Sequence, residues 1–159
     1  DLFAVQRREH LLEGRQLAAE RGLQALVLFE GVLDLRADQA TEHLAEIGQA
    51  LLTLEKDPRD GPALDIVFRM MHSMKGMGAS LGYDAVSGLA HRLEDRLGTW
   101  RKGGGIDDGQ GVAMLFRGLE SLERMVAVVR DTGEPPPPDE ALLVQLGDPE
   151  LPKKALRLP

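Results

Sequence analysis

The sequence predicts an all-α protein: an antiparallel, up-down four-helix bundle with a short fifth helix and an N-terminal helical extension. Three observations carry this reading. Four segments repeat apolar residues at spacings of three and four, which puts them on one helix face. Breaks rich in glycine, proline and aspartate separate the segments. The connections are short, which makes sequential helices antiparallel neighbours. No run of alternating apolar and polar residues competes as a strand.

The first helix is expected over Val32–Glu55, with Leu44, Ile47, Leu51 and Leu54 on its stripe, before "KDPRDGP" breaks it. The second is expected over Ala63–Leu81, through Leu64, Val67, Phe68, Met71, Met74 and Leu81, with Gly82 as its C-terminal cap. The third starts at Asp84, expected as N-cap, and runs to Arg101 through Val86, Leu89, Ala90, Leu93, Leu97 and Trp100. After "KGGGIDDGQG" a fourth is expected over Val112–Arg130, ended by "DTGEPPPPD". A short fifth covers Glu140–Leu146, with Asp139 as its cap. Residues 1–30 have helical composition interrupted by glycine. They read as an added helix, an extension of the first, or a partly mobile segment. Residues 148–159 read as a linker. The chain does not begin with methionine and is expected to be a fragment of a longer protein.

The totals exclude several classes. With 159 residues there is room for one domain with a real core. Aromatic residues are only 4%, so Leu, Val, Ala and Met must build that core. The absence of cysteine excludes a disulfide scaffold and fits a reducing, cytoplasmic setting. A net charge of −7 argues against a nucleic-acid binder, which needs a basic face. No apolar run reaches the roughly 18–20 residues that cross a bilayer.

One stretch carries the chemistry: "MMHSMKGMGASLGYDAVSGLAHRLEDRL", Met70 to Leu97. His72 lies one step, about 100°, from the stripe residue Met71, so it sits at the stripe's edge. Lys75 shares its face. On the third helix His91 and Glu94 are likewise three apart at the stripe margin. If the two helices turn tightly at Gly82, these faces converge into a semi-exposed cluster of His72, Lys75, His91 and Glu94. A carboxylate accepting from Nδ1–H would set the imidazole tautomer and leave Nε2 as nucleophile. A lysine nearby would offset charge on a transferring phosphoryl group. Gly76, one turn beyond His72, keeps the surface low for a partner; Gly78 does the same or allows close helix packing.

Two other readings compete. Two histidines and a glutamate could hold zinc, but Lys75 would bring positive charge to the ion and no fourth ligand is evident. A bundle with no chemistry is the third class. "DDGQG", Asp107 to Gly111, matches a nucleotide-binding glycine pattern, yet one short loop between amphipathic helices is a weak signal. It reads as a turn and the start of helix four.

The segment "FRMMHSMKGMGASLGYDAVSGLAHRLEDRL" resembles the histidine phosphotransfer (HPt) domain at the N-terminus of CheA-type chemotaxis histidine kinases. The shared pattern is F-R-x-x-H-[ST]-x-K-G-x-x-x-x-[LF]-G-[FY], then H-x-[LM]-E. Phe68, Arg69, His72, Ser73, Lys75, Gly76, Leu81, Gly82, Tyr83, His91, Leu93 and Glu94 stand in register. The resemblance covers roughly residues 32–131; the phosphotransfer domain is expected at residues 31–132, and the chain's own pattern gives a proline-rich stop and short helix at 133–147. It implies that His72 is phosphorylated on Nε2 by a separate ATP-binding kinase domain. The phosphoryl group would pass to an aspartate of a CheY- or CheB-like response regulator. Glu94 would hold Nδ1–H, and Lys75 and His91 would shape the surroundings. Arg69, Ser73, Gly76 and Met77 would face the partners. No metal or cofactor is expected in this chain, since ATP and magnesium would belong to the kinase domain. The isolated domain is expected to be a monomer.

Overall fold

The computed structural model describes residues 2–106 and 109–147, and in them five helices and no strand. These are α1 (Leu2–Lys56), α2 (Gly61–Leu81), α3 (Asp84–Gly103), α4 (Gly109–Thr132) and α5 (Glu140–Leu146). The expected linker at 148–159 lies outside the described residues, as do Asp107 and Asp108.

The chain forms two units, Asp1–Arg36 and Ala37–Pro159. The first is the N-terminal part of α1. Of the three readings left open for residues 1–30, extension of the first helix is the one observed. Glycines at positions 14, 22 and 31 do not end it, because a single helical glycine costs about 1 kcal/mol and the surrounding Leu, Ala, Glu, Gln and Arg favour helix.

In the second unit the boundaries have local causes. Asp60 caps α2: its side chain accepts from the Ala63 N–H at 2.8 Å, and Pro62 occupies the first turn, where its missing N–H costs nothing. The helix therefore starts at Gly61, two residues before the expected Ala63. Gly82 ends it in the left-handed region, φ 76°, with its N–H returned to Ala79 O. Asp84 is not the cap of α3. Tyr83 holds that position without a side-chain bond, and Asp84 is the acidic residue of the first turn, where it complements the helix dipole. The fourth helix starts at Gly109, before the expected Val112. A Cβ on Gly111 would lie 2.5 Å from Ile106 and 2.9 Å from Trp100, so the glycine lets this first turn pack closely. Asp139 caps α5 as expected, accepting from the Leu142 N–H at 3.1 Å.

Contacts along the helices show an antiparallel bundle. Between α2 and α3, Asp65 pairs with Arg101, Phe68 touches Gly98 and Gly78 meets Ser87. Between α3 and α4, Trp100 lies against Gly111 and Leu93 against Gly118. Between α1 and α4, Asp38 pairs with Arg130 and Gly48 touches Leu119. The core fills the space between them: Ile47, Leu51 and Leu54 from α1, Leu64, Val67, Met71 and Met74 from α2, Leu89, Leu93 and Leu97 from α3, Leu115 and Leu122 from α4 are essentially inaccessible. Each such side chain contributes roughly 1.5–3 kcal/mol by leaving water. The fifth helix is strapped on from outside. It buries Leu142 and Leu146, and Arg92 and Arg96 of α3 donate to its last carbonyls, Leu143 O at 3.1 Å and Leu146 O at 2.9 Å.

Candidate functional site

The site stands on the α2–α3 pair. Gly78 sets how close these helices come, because a Cβ there would sit 2.8 Å from the Ser87 backbone nitrogen. The glycine-capped turn at Gly82 sets their register. Together they bring two stripe-edge residues, 22 apart in sequence, into contact: His72 Nδ1 lies 3.0 Å from Glu94 Oε1.

A carboxylate can only accept, so Nδ1 carries the proton and Nε2 keeps its lone pair. The His72 side chain is 66% exposed while that of Glu94 is only 12% exposed. The imidazole thus projects outward from a partner anchored in the bundle. Glu94 Oε2 has no directed hydrogen bond, and the Lys75 ammonium meets it as an ion pair at 2.7 Å. Burial alone pushes the Glu94 carboxyl up. The Lys75 and His72 contacts together outweigh this and hold it below the ordinary value of 4.5. Glu94 is therefore ionised at neutral pH. The bond that Lys75 makes is to the carboxylate that holds His72.

His91 is not brought into this group. Its Nε2 lies 3.6 Å from Asp95 Oδ2, one turn on, and its side chain is 57% exposed. It lies one turn after Ser87 and two turns before Gly98, on the side of α3 that faces α2, and its ring pairs along its own helix with Asp95. The expected partner-facing residues also divide. Arg69 and Gly76 lie within about 60° of His72 around α2, whereas Ser73 and Met77 are turned about 100° and 140° to the flank away from α3. Arg69 and Gly76 are exposed, and Ser73 and Met77 are half-buried. Unlike Gly78, Gly76 has open space where a Cβ would stand. Its absence of a side chain serves nothing inside the described chain. Among the described residues no three His, Asp or Glu side chains converge as a metal site. No described helix is long and apolar enough to cross a membrane.

A ring nitrogen with a free lone pair, on an exposed side chain held in one tautomer, suits a group carried between partners. The comparisons agree. The family model for the Hpt domain matches residues 31–132. The chain belongs to the Hpt-domain family. Chemotaxis protein CheA of Bacillus subtilis (strain 168) is 38% identical over 102 residues, covering 64% of this chain but 15% of that protein. Chemotaxis protein CheA of Halobacterium salinarum is 32% identical over 96 residues, 60% of this chain and 14% of that protein. This Hpt chain thus spans about one seventh of the length of these curated relatives. Among solved structures, the CheA phosphotransferase domain from Thermotoga maritima superposes with a TM-score of 0.58 at 30% identity, covering 62% of this chain and 93% of that one. The phosphorylated P1 domain of CheA3, solved in complex with CheY6 from R. sphaeroides, gives 0.63 at 29% identity, covering 72% and 91%.

The sequence reading missed one part of this face. Asp65, Phe68, Arg101 and Lys102 continue it beyond His72. Their pairing was implicit in the turn at Gly82, since the register that matches His72 with Glu94 also matches Asp65 with Arg101.

Proposed function

We propose that this chain is the phosphotransfer domain of a CheA-type two-component histidine kinase, with His72 as phosphoryl carrier. The observation that carries the reading is the 3.0 Å Nδ1–Glu94 contact beneath an exposed ring, which frees Nε2 as the nucleophile. Nε2 attacks the γ-phosphorus of ATP held by a separate kinase domain. The P–N bond forms as the P–O bond to ADP breaks. Positive charge rising on the ring is met by Glu94, which Lys75 keeps ionised. A carboxylate oxygen of a response-regulator aspartate then attacks the same phosphorus. The P–N electrons return to Nε2, and the imidazole is restored. The CheA relatives and the CheA3–CheY6 complex support a receiver of CheY type in chemotaxis-like signalling; a CheB-like receiver would meet the same exposed ring, and the donor ATP belongs to a cytoplasmic setting. His91 stands outside the reacting atoms in this scheme and tunes the surface charge beside them.

The test is to incubate the chain with labelled ATP, with and without a separate CheA-type catalytic domain, and map the label. Acid-labile, base-stable phosphate on His72, formed only with the catalytic domain and removed by a receiver, is expected. His72→Gln is expected to abolish acceptance with an unchanged far-UV spectrum. Label elsewhere, or retained in that variant, would sink the assignment.

A further inference from the structure

We infer that the groove at the α2 N-terminal and α3 C-terminal end of the His72 face is a second anchor for the receiver domain. It takes an acidic surface segment of the domain that carries the acceptor aspartate. The inference rests on the phosphotransfer reading and extends its partner surface.

The groove encloses about 580 Å³ and is lined by Arg59, Asp65, Phe68, Gly98, Arg101 and Lys102, among others. Phe68 lies one turn before His72 on α2, and Gly98 one turn after Glu94 on α3. The groove is therefore continuous with the site, with Asp65 and Arg101 about 10 Å along the helix axes and its far end, at Gly61, about 16 Å. The floor is apolar because the Phe68 ring packs beside Gly98, in ordinary contact range, 3.7 Å, of where a Cβ would stand.

Arg101 is held ready over this floor. Its guanidinium carbon lies 4.3 Å from the Phe68 ring centroid, and its Nε pairs with Asp65 Oδ1 at 2.6 Å. Stacked and held through Nε, the group leaves Nη1 and Nη2 without a bond to any described residue. That is the fork that binds a carboxylate in bidentate fashion. Arg59 and Lys102, both exposed, carry no ion pair with a described residue and face the same groove. Arg69 is also exposed, and its Nε reaches only the Asp65 carbonyl at 3.4 Å. The groove lining thus holds three cations, Arg59, Arg101 and Lys102, to one carboxylate, Asp65, in a chain whose net charge is −7.

The reaction explains why positive charge belongs here. A phosphoryl group brings about two negative charges to His72. The acceptor is itself a carboxylate, and the carrier chain is acidic. Approach of the two proteins is therefore opposed at the site. A basic anchor about one Debye length from His72 offsets that repulsion and orients the encounter without placing a cation on the reacting atoms.

The experiment follows phosphoryl transfer from the loaded full chain to a CheY-type receiver over a range of receiver concentrations, for wild type, Arg101→Gln and Lys102→Glu. Lys102 is exposed and has no described partner, so its reversal tests the charge even if loss of Arg101 disturbs packing. Each variant is expected to raise KM for the receiver about tenfold with the saturating rate within about twofold of wild type. Each is also expected to flatten the rise of KM with salt. Loading of His72 by the kinase domain is expected to be unchanged. Normal loading with an unaltered KM in both variants would overturn the groove alone. Slower loading with normal transfer would also overturn it, assigning the groove to the kinase domain. Absence of label on wild-type His72 would overturn the phosphotransfer reading and the groove with it.

Discussion

Lys75 Nζ lies 2.7 Å from Glu94 Oε2, the carboxylate oxygen that His72 does not use. The two oxygens of one nearly buried carboxylate thus serve two cationic or proton-bearing partners from one face of α2. Lysine keeps the carboxylate charged, and the charged carboxylate keeps the proton on Nδ1.

The first consequence concerns the tautomer. Glu94→Ala removes the acceptor and is expected to slow phosphorylation of His72 by about 10- to 100-fold, the usual cost of losing a group that orients a reactive imidazole. The nitrogen NMR shifts of His72 report the cause. The Nδ1–H form is expected to dominate in wild type and to lose its excess in the variant. An unchanged tautomer ratio would show that Glu94 does not set it.

Removing Lys75 acts on the same carboxylate from its other side. Lys75→Met leaves Glu94 Oε2 nearly buried without its counter-ion. Chemical denaturation is expected to show a loss of about 1–2 kcal/mol, moderated because the lysine is partly exposed. Phosphorylation is expected to slow less than in Glu94→Ala, since the His72 bond remains. A larger kinetic effect than that of Glu94→Ala would place Lys75 on the reacting group itself.

The two glycines after His72 are expected to respond in opposite ways. Gly78→Ala drives a methyl into the Ser87 backbone, which cannot yield as a side chain can, and is expected to cost about 1–3 kcal/mol. Gly76→Ala meets open space in a helix interior and is expected to raise stability by about 0.5–1 kcal/mol. Its expected penalty appears only with a partner present, as slower transfer. Equal transfer rates in wild type and Gly76→Ala would remove the partner as the reason for this glycine.

Acid tests the electrostatics. The folded Glu94 carboxyl lies below its ordinary value of 4.5, so its contribution to stability is fully present above that pH and is lost as pH falls through the lowered folded value. Asp139 behaves likewise below its ordinary 3.8, chiefly through the Ser121 hydroxyl, then the Leu142 N–H, with Arg124 adding to them against a small effect of burial. Urea midpoints between roughly pH 5 and pH 3 are expected to fall less steeply in Glu94→Gln than in wild type. Parallel curves would mean that the unfolded chain holds the Glu94 proton as weakly as the folded one.

Much of this was legible along the chain. The stripe through Leu64, Val67, Met71 and Met74 faces the core as its spacing requires, and His72 follows at the exposed edge. Helix ends with a chemical signature, Gly82 and Asp139, could be placed to the residue. Other starts differ by two or three residues: at Gly61, although Asp60 and Pro62 mark it, and at Gly109, where a tight glycine contact decides it.

Periodicity by itself determined the all-helical class, the core stripes and the candidacy of His72, Lys75 and Glu94, because burial of one helix face depends only on spacing. Only the tertiary structure decided which edge residues touch. His91 and Glu94 have the same position relative to their stripe, yet Glu94 turns inward to His72 while His91 turns to Asp95. The distance between α2 and α3, and the direction in which each side chain leaves its backbone, separate them. The same packing assembles Asp65, Phe68 and Arg101 into a groove, a property of two helices at one spacing and of neither helix alone.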